Sequence, residues 1–424
     1  MYKWASDLFP INRSLTGAGV RESLAYIKKL LPELTVHAVP TGYQAFDWEV
    51  PEEWVINEAY IENQPGERIV DFKNNNLHVV GYSSAVDAIM SRSELDTHLH
   101  SLPDKPDAIP YVTAYYKRKW GFCLTHKQRS ALPEGNYHVV IQSQHIRGFM
   151  NYGEIVIPGE SSQEVLFSTY ICHPSMANNE LSGPVVCAAL AKYIGSLPKR
   201  KYTYRFVFVP ETLGSIVFIS KNIEHLKKWV VAGYNVSCVG DNRAYSYLPS
   251  RHGDTISDRA ALHVLKHTDP EFDRYTWLER GSDERQYCSP GVDLPIASIM
   301  RTKYGKFPEY HTSLDNLSLI SPDGLQGAFD VYCKAIEIIE NNCVPKTKIM
   351  CEPRFSKHGL YSEKNTKGAV FGSPERNIMN MFSYCDGTKS LLDIANLIQV
   401  PFHNLLPVLR QSIELDLLEI QDQL

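Results

Sequence analysis

The chain has 424 residues, 43% hydrophobic and 21% charged, with a formal net charge of −5. That length suits two or three domains of ordinary globular composition, and the acidic balance argues against nucleic acid, which asks for a basic face. No apolar run reaches membrane-spanning length, residues 1–7 lack the charged and apolar regions of a signal peptide, and the nine cysteines include no Cys-x-x-Cys pair. The expectation is a cytoplasmic protein with reduced, mostly buried thiols and no membrane association.

In chain order, residues 17–31 predict an amphipathic helix, with Leu24, Ile27, Leu30 and Leu31 on one face and a polar lead-in at 12–16. From about residue 45 the pattern changes to short alternating segments at 54–61, 77–82, 111–116 and 137–141, rich in aromatics and punctuated by Pro and Gly. This reads as a β-rich unit, 45–136, inserted into a larger domain, where it either rims a pocket or gives structural support. From 137 onward strands and helices alternate. Strands are expected at 140–141, 153–157, 165–171, 204–209 and 236–240. Helices are expected from 185 and at 215–223, 259–266 and 323–340. Residues 1–44 and 137–345 are therefore expected to form one α/β domain with a largely parallel or mixed sheet. Residues 343–372 read as a linker. Helices at 374–385, 391–397 and 402–415, followed by a strand at 416–420, give a winged-helix skeleton over 346–424. Its segment 398–407 is nearly free of Lys and Arg, which favours docking or packing over DNA binding.

The chemistry-bearing residues fall at strand ends. His173 follows the apolar strand 165–171, at the carboxyl end where open α/β sheets place their sites. A single histidine there is a ligand, an acid/base group or a satisfied loop residue. Glu211 follows the strand 204–209, Asp241 follows 236–240, and His311 precedes the helix-bearing region near Asp315. His, carboxylate, carboxylate and His suit a borderline divalent metal such as zinc, and a carboxylate beside it could take a proton from bound water. The charged loop 281–285 adds Glu284 as a possible anchor for a substrate amine and Arg285 for a carboxylate, with Asp283 beside them; an internal ion pair is an equal reading. Arg243 and Arg301 are comparable to Arg285, and Tyr304 could donate to a developing oxyanion.

The order and context of these residues resemble the zinc-dependent aminopeptidases with two co-catalytic metals. The resemblance places His173 on the first metal-binding His and Asn179, in Asn179-Glu180-Leu181-Ser182-Gly183, on the bridging Asp of Asp-x-x-Ser-Gly. It places Glu211-Thr212 on the Glu-Glu pair whose first member is the general base, Asp241 on the later Asp, and His311 on the final His. The whole chain is more closely similar to aminopeptidase-like proteins with a β insertion and a C-terminal winged helix that accompany surface-polysaccharide biosynthesis; segments 48–54 and 310–317 fit that group. The resemblance implies a three-layer aminopeptidase-like (phosphorylase/hydrolase-like) α/β fold. It implies a zinc aminopeptidase or amidohydrolase acting on a peptide, aminoacyl or amide-bearing glycan substrate, and a homo-oligomer is compatible with it. Asn179 and Thr212 each remove a negative charge, so the implied cofactor is one zinc rather than two, held by His173 and Asp241 with Glu211 or His311. The alternative is a catalytically impaired protein that keeps the fold for binding.

Overall fold

The computed structural model describes residues 1–360 and 373–421; the part of the expected linker from 361 to 372, and residues 422–424 of the expected winged-helix unit, lie outside the described residues. The chain divides into two compact units, residues 1–253 with 273–329, and residues 254–272 with 330–424.

The first unit is built on an eight-stranded mixed sheet. Its strands in chain order are β1 (Thr35–Pro40), β2 (Phe149–Ile157), β3 (Glu164–Tyr170), β4 (Thr203–Val209), β5 (Val230–Asn235), β6 (Ser246–Leu248), β7 (Asp273–Arg274) and β8 (Ile296–Met300). They lie in the order β1-β2-β4-β3-β5-β8-β6-β7. β3 runs parallel to both β4 and β5, and β5 parallel to β8, while β1, β2 and β6 are antiparallel to their inner neighbours. All seven residues of β3 are buried, as a continuous apolar run flanked by strands on both sides requires. Phe167 stacks on Phe206 of β4 with centroids 4.9 Å apart, and on its other side meets Tyr234 of β5.

Helix Ser182–Ser196 carries the chain from β3 to β4 on one side; helix Leu213–Trp229 then carries it back to β5 on the other. The winding direction reverses at β3, so the carboxyl ends of β3, β4 and β5 open a crevice between them. Gly183 lets the first helix start against the sheet: a Cβ there would lie 2.4 Å from both Thr169 Oγ1 and the Val236 carbonyl.

The helix expected at 17–31 is Ala18–Leu30, with Val20, Leu24 and Ile27 buried. Two expected strands differ. The one at 236–240 is displaced to Val230–Asn235; beyond it Val236 N–H still donates to Ser168 O at 2.7 Å, and Cys238, at φ +53°, turns the backbone out of the ladder. The segment 140–141 belongs to an eleven-residue strand, Asn136–Ile146. That strand pairs with Glu53–Glu62 and Val86–Ser91 in a separate antiparallel sheet, completed by Arg68–Asp71. Residues 111–116 form no named strand; they cross the crevice, and Tyr111 N–H donates to His311 O at 2.9 Å.

In the second unit, helices Pro374–Ser383, Leu391–Ile398 and Phe402–Glu414 are followed by strand Leu418–Gln421, which pairs antiparallel with Val344–Thr347. Ser390 and Asp393 form a capping box at the start of the middle helix. His263 accepts the Phe402 N–H at 2.9 Å and shares a 2.7 Å hydrogen bond with Asn396 Oδ1. This is the winged-helix arrangement, and helix Phe402–Glu414 carries one arginine and no lysine. All nine cysteines are free thiols. Among the described residues no helix is long and apolar enough to cross a membrane.

Candidate active site

A cavity of about 310 Å³ lies at the carboxyl ends of β3 and β4, with Cys172, His173, Glu211, Thr212, Arg285 and His311 among its lining residues. Tyr111, Tyr115, Tyr116 and Trp48 from the β-rich region also line it.

His173 is buried and held on three sides. Its carbonyl accepts from Arg13 Nε at 2.9 Å, its Nδ1 is 2.6 Å from Glu180 Oε2, and its Nε2 is 3.5 Å from Glu211 Oε2. A carboxylate on one ring nitrogen fixes the tautomer and aims the other nitrogen at the cavity. Burial opposes a charge on this ring, but Cys172 and Glu180 outweigh it and hold the His173 pKa well above the imidazole range. Glu180 is itself fully buried, with Arg13 Nε 3.7 Å from its Oε1. It lies in the wide π-helical turn Ala177–Leu181 between β3 and its helix. Asp315 holds that turn from below, accepting the backbone N–H groups of Ala177, Asn178 and Asn179 at 3.2, 2.7 and 2.9 Å.

Glu211 presents Oε2 toward His173, while Oε1 accepts from Ser282 Oγ at 2.8 Å. Burial pushes its pKa up, with His173 and Ser282 pulling the other way. Thr212 follows at φ +65°, a conformation a branched residue adopts only under strong constraint. The constraint is Asp283, whose Oδ1 accepts from Thr212 N at 2.6 Å and Ser215 Oγ at 2.9 Å. Burial, reinforced by Glu211, pushes Asp283 up to about 8.

His311, also at positive φ (+55°), stacks on Tyr310 with centroids 3.9 Å apart and lies 5.6 Å from the His173 ring. Its Nε2 is buried without a hydrogen-bond partner. Burial, then His173, pushes its pKa down to about 3, so the ring is neutral at ordinary pH and its nitrogen can act as a ligand.

His173, Glu211 and His311 therefore meet at one cavity, and the other candidates take different places. Asp241 is buried with its oxygens occupied: they accept from Asn178 Nδ2, Thr302 N, Thr302 Oγ1 and Arg243 N, at 2.8–2.9 Å. A carboxylate offers about four lone-pair sites, so Asp241 ties loops together and has none left for a metal, contrary to the expectation. Asn179 accepts from Tyr170 Oη at 3.1 Å, and its Nδ2 has no partner. Glu284 is no amine anchor, because it accepts from Gly281 N, Ser282 N, Tyr304 Oη and Asn235 Nδ2. Tyr304 spends its hydroxyl on Glu284 at 2.6 Å and faces no oxyanion position. Asp283 lies behind Thr212 rather than in the cavity. Arg285 does face the cavity, its Nη2 donating to Thr212 Oγ1 at 2.7 Å. Arg243 is paired with Glu309, and Arg301 donates to Asn242 Oδ1 and lies over Tyr245.

Glu180, Arg13 and the Tyr111–Tyr115 pair were not marked by the sequence pattern. The available signal was Glu180's place one residue after Asn179 and seven after His173, a carboxylate in an otherwise uncharged turn.

The donor atoms on the cavity wall are of the kinds zinc takes. No carboxylate occupies the bridging position, Thr212 is neutral, and Asp241 is saturated. Two imidazole nitrogens line one cavity beside Glu211 Oε2; the His311 nitrogen is buried and unpartnered, whereas His173 becomes a zinc donor only by giving up the proton its raised pKa holds on the ring. His173, Glu211 and His311 do not together form a three-donor group within 4.8 Å. Among the described residues the one three-donor group within 4.8 Å is Cys172, His173 and Glu180, which backs the Nδ1 side of His173.

Residues 2–342 match a family model described as a domain of unknown function, DUF4910, and residues 343–420 match a winged helix-turn-helix model. A Clostridium acetobutylicum protein, provisionally named for polysaccharide biosynthesis with an aminopeptidase-like domain, is 43% identical over 400 residues, covering 93% of this chain and 90% of its own. A crystal structure from Clostridium acetobutylicum, provisionally titled a peptidase, matches with a TM-score of 0.92 at 40% identity over 99% of this chain and 96% of that one. The zinc aminopeptidase BSAP of Bacillus subtilis shares the fold, with a TM-score of 0.59 at 13% identity over 80% of this chain and 93% of that one.

Proposed function

We propose that this chain, which belongs to the DUF4910 family and carries an aminopeptidase-like fold, hydrolyses an amide or aminoacyl bond, with Glu211 as general base and one zinc ion at His173 and His311. The observation that carries the reading is the cavity itself. His173 Nε2 and Glu211 Oε2 are 3.5 Å apart on its wall, and the unpartnered His311 Nε2 is on the same wall. Zinc, when bound, would supply Lewis acidity and a more acidic water. Ser282 holds one Glu211 oxygen and leaves the other to receive a proton; the raised pKa suits that task. Glu180 keeps Nε2 of His173 toward the reacting group, and Arg285 stands where an acidic part of the substrate would be held. The name of the Clostridium relative points the substrate toward an amide on a glycan.

The test is hydrolysis of aminoacyl amides by zinc-supplemented protein, with metal content measured on the same sample. Stoichiometric zinc that is lost in His173→Ala and His311→Ala together with turnover supports the reading; folded wild type without stoichiometric zinc refutes it. The saturated Asp241 and neutral Asn179 favour a second reading, a binding protein in which Glu211 is itself a ligand. Its mark is loss of zinc from Glu211→Gln, since Oε2 cannot serve as both ligand and base.

A further inference from the structure

A second cavity, of about 530 Å³, adjoins the first, and Tyr115 and Tyr116 line both. Its wall carries three cations, Lys117, Arg118 and Arg147, against two carboxylates, Glu49 and Glu52. Arg118 is paired with Glu52, and the Glu49 carboxylate accepts from Gln44 Nε2 at 2.6 Å. Among the described residues, the side chains of Lys117 and Arg147 have no acidic partner. Two exposed aromatic rings flank the passage between the cavities: Tyr116 is 56% exposed and Trp48 39%, with centroids 6.3 Å apart at 59°. Tyr116 is fixed in place by its hydroxyl, which donates to the Glu49 carbonyl at 2.9 Å.

Exposed rings at a fixed angle offer flat apolar faces to a ring that is apolar on one side and polar at its edge, and unpaired cations beyond them select a negative group. The first cavity, about 310 Å³, suits an aminoacyl group or a single sugar, and the second, which shares Tyr115 and Tyr116 with it, offers a longer substrate a place to continue. We propose that the second cavity binds an acidic sugar residue of an extended glycan, its carboxylate held by Lys117 and Arg147 and its ring laid against Tyr116, with the neighbouring sugar against Trp48 at the wall of the first cavity. The inference rests on the hydrolase reading for the group that occupies the first cavity, but binding in the second does not need turnover.

The experiment measures binding of tetragalacturonate, of its methyl ester and of uridine monophosphate to the full-length chain by calorimetry. Binding of tetragalacturonate by the wild type is expected whether or not the same sample turns over an aminoacyl amide, so that a failed hydrolase reading leaves this result standing. Neutralising the ligand as its methyl ester, or the protein as Lys117→Ala with Arg147→Ala, is expected to weaken binding about tenfold or more. Both substituted positions are exposed, and an unchanged thermal midpoint verifies the fold of the double variant. The proposal is overturned if wild type does not bind tetragalacturonate, if ester or double variant binds as tightly, or if uridine monophosphate binds more tightly than the uronate.

Discussion

Glu180→Gln exchanges a buried carboxylate for an amide of the same shape and leaves two buried cationic partners uncompensated. Arg13 keeps its bonds to the His173 and Leu8 carbonyls, at 2.9 and 2.7 Å, but loses the charge 3.7 Å away. Removing one partner of a buried pair costs about 3–5 kcal/mol, and the two carbonyl bonds that survive place this case near 3. The effect is pH-dependent, with a sign set by His173. In the wild type its folded pKa is raised, so its contribution to stability is fully present below the unfolded value of about 6.5 and is lost as pH rises through the folded pKa. Without Glu180 the Cys172 contribution remains but the counterweight to burial is weaker, so the folded pKa drops and the stabilisation present below about 6.5 shrinks. Denaturant unfolding of the first unit at about pH 5.5 and about pH 8 should show the larger loss at the acid end. A loss under about 0.5 kcal/mol, equal at both pH values, would refute the argument that Glu180 orients and charges His173.

Gly183→Ala should destabilise the first unit by about 2 kcal/mol, because its Cβ meets backbone at 2.4 Å; urea midpoints check this, and an unchanged midpoint contradicts the close approach. Asp283 has a raised folded pKa, so its protonated form makes folding progressively less favourable as pH climbs from about 4 to about 8. Asp283→Asn should therefore gain stability relative to wild type across that window, and parallel pH curves would count against it. His263 in the second unit is pushed down to about 4, mainly by burial, so its contribution is present above about 6.5 and lost as pH falls toward 4. The loss is at most about 3 kcal/mol, and His263→Gln should flatten it in pH-dependent unfolding.

His173, Glu211 and His311 were legible because each follows or faces the end of an apolar strand, where the chain must leave the sheet and polar groups collect. Asp241 shows the limit of that signal. A polar residue after a strand can turn inward as readily as toward a crevice, and Asn178 and Thr302, distant in sequence, decide which. The same holds for Glu284 and Tyr304, which find each other across 20 residues. The α/β alternation and the winged helix were visible through hydrophobic period, whereas the pairing of Asn136–Ile146 was not, because alternation marks a strand but not its sheet. Residues 111–116 have strand composition yet wall the cavity, since the aromatic faces that suit a sheet also suit a binding site.

The central claim is that Glu211 acts as the base beside a single ion. The direct measurement is the rate of aminoacyl p-nitroanilide hydrolysis by zinc-loaded wild type and Glu211→Gln, with zinc counted in both. Retained zinc with a rate lowered about 10²–10⁴-fold is the predicted result. An undiminished rate in Glu211→Gln, or zinc lost together with it, would contradict the account.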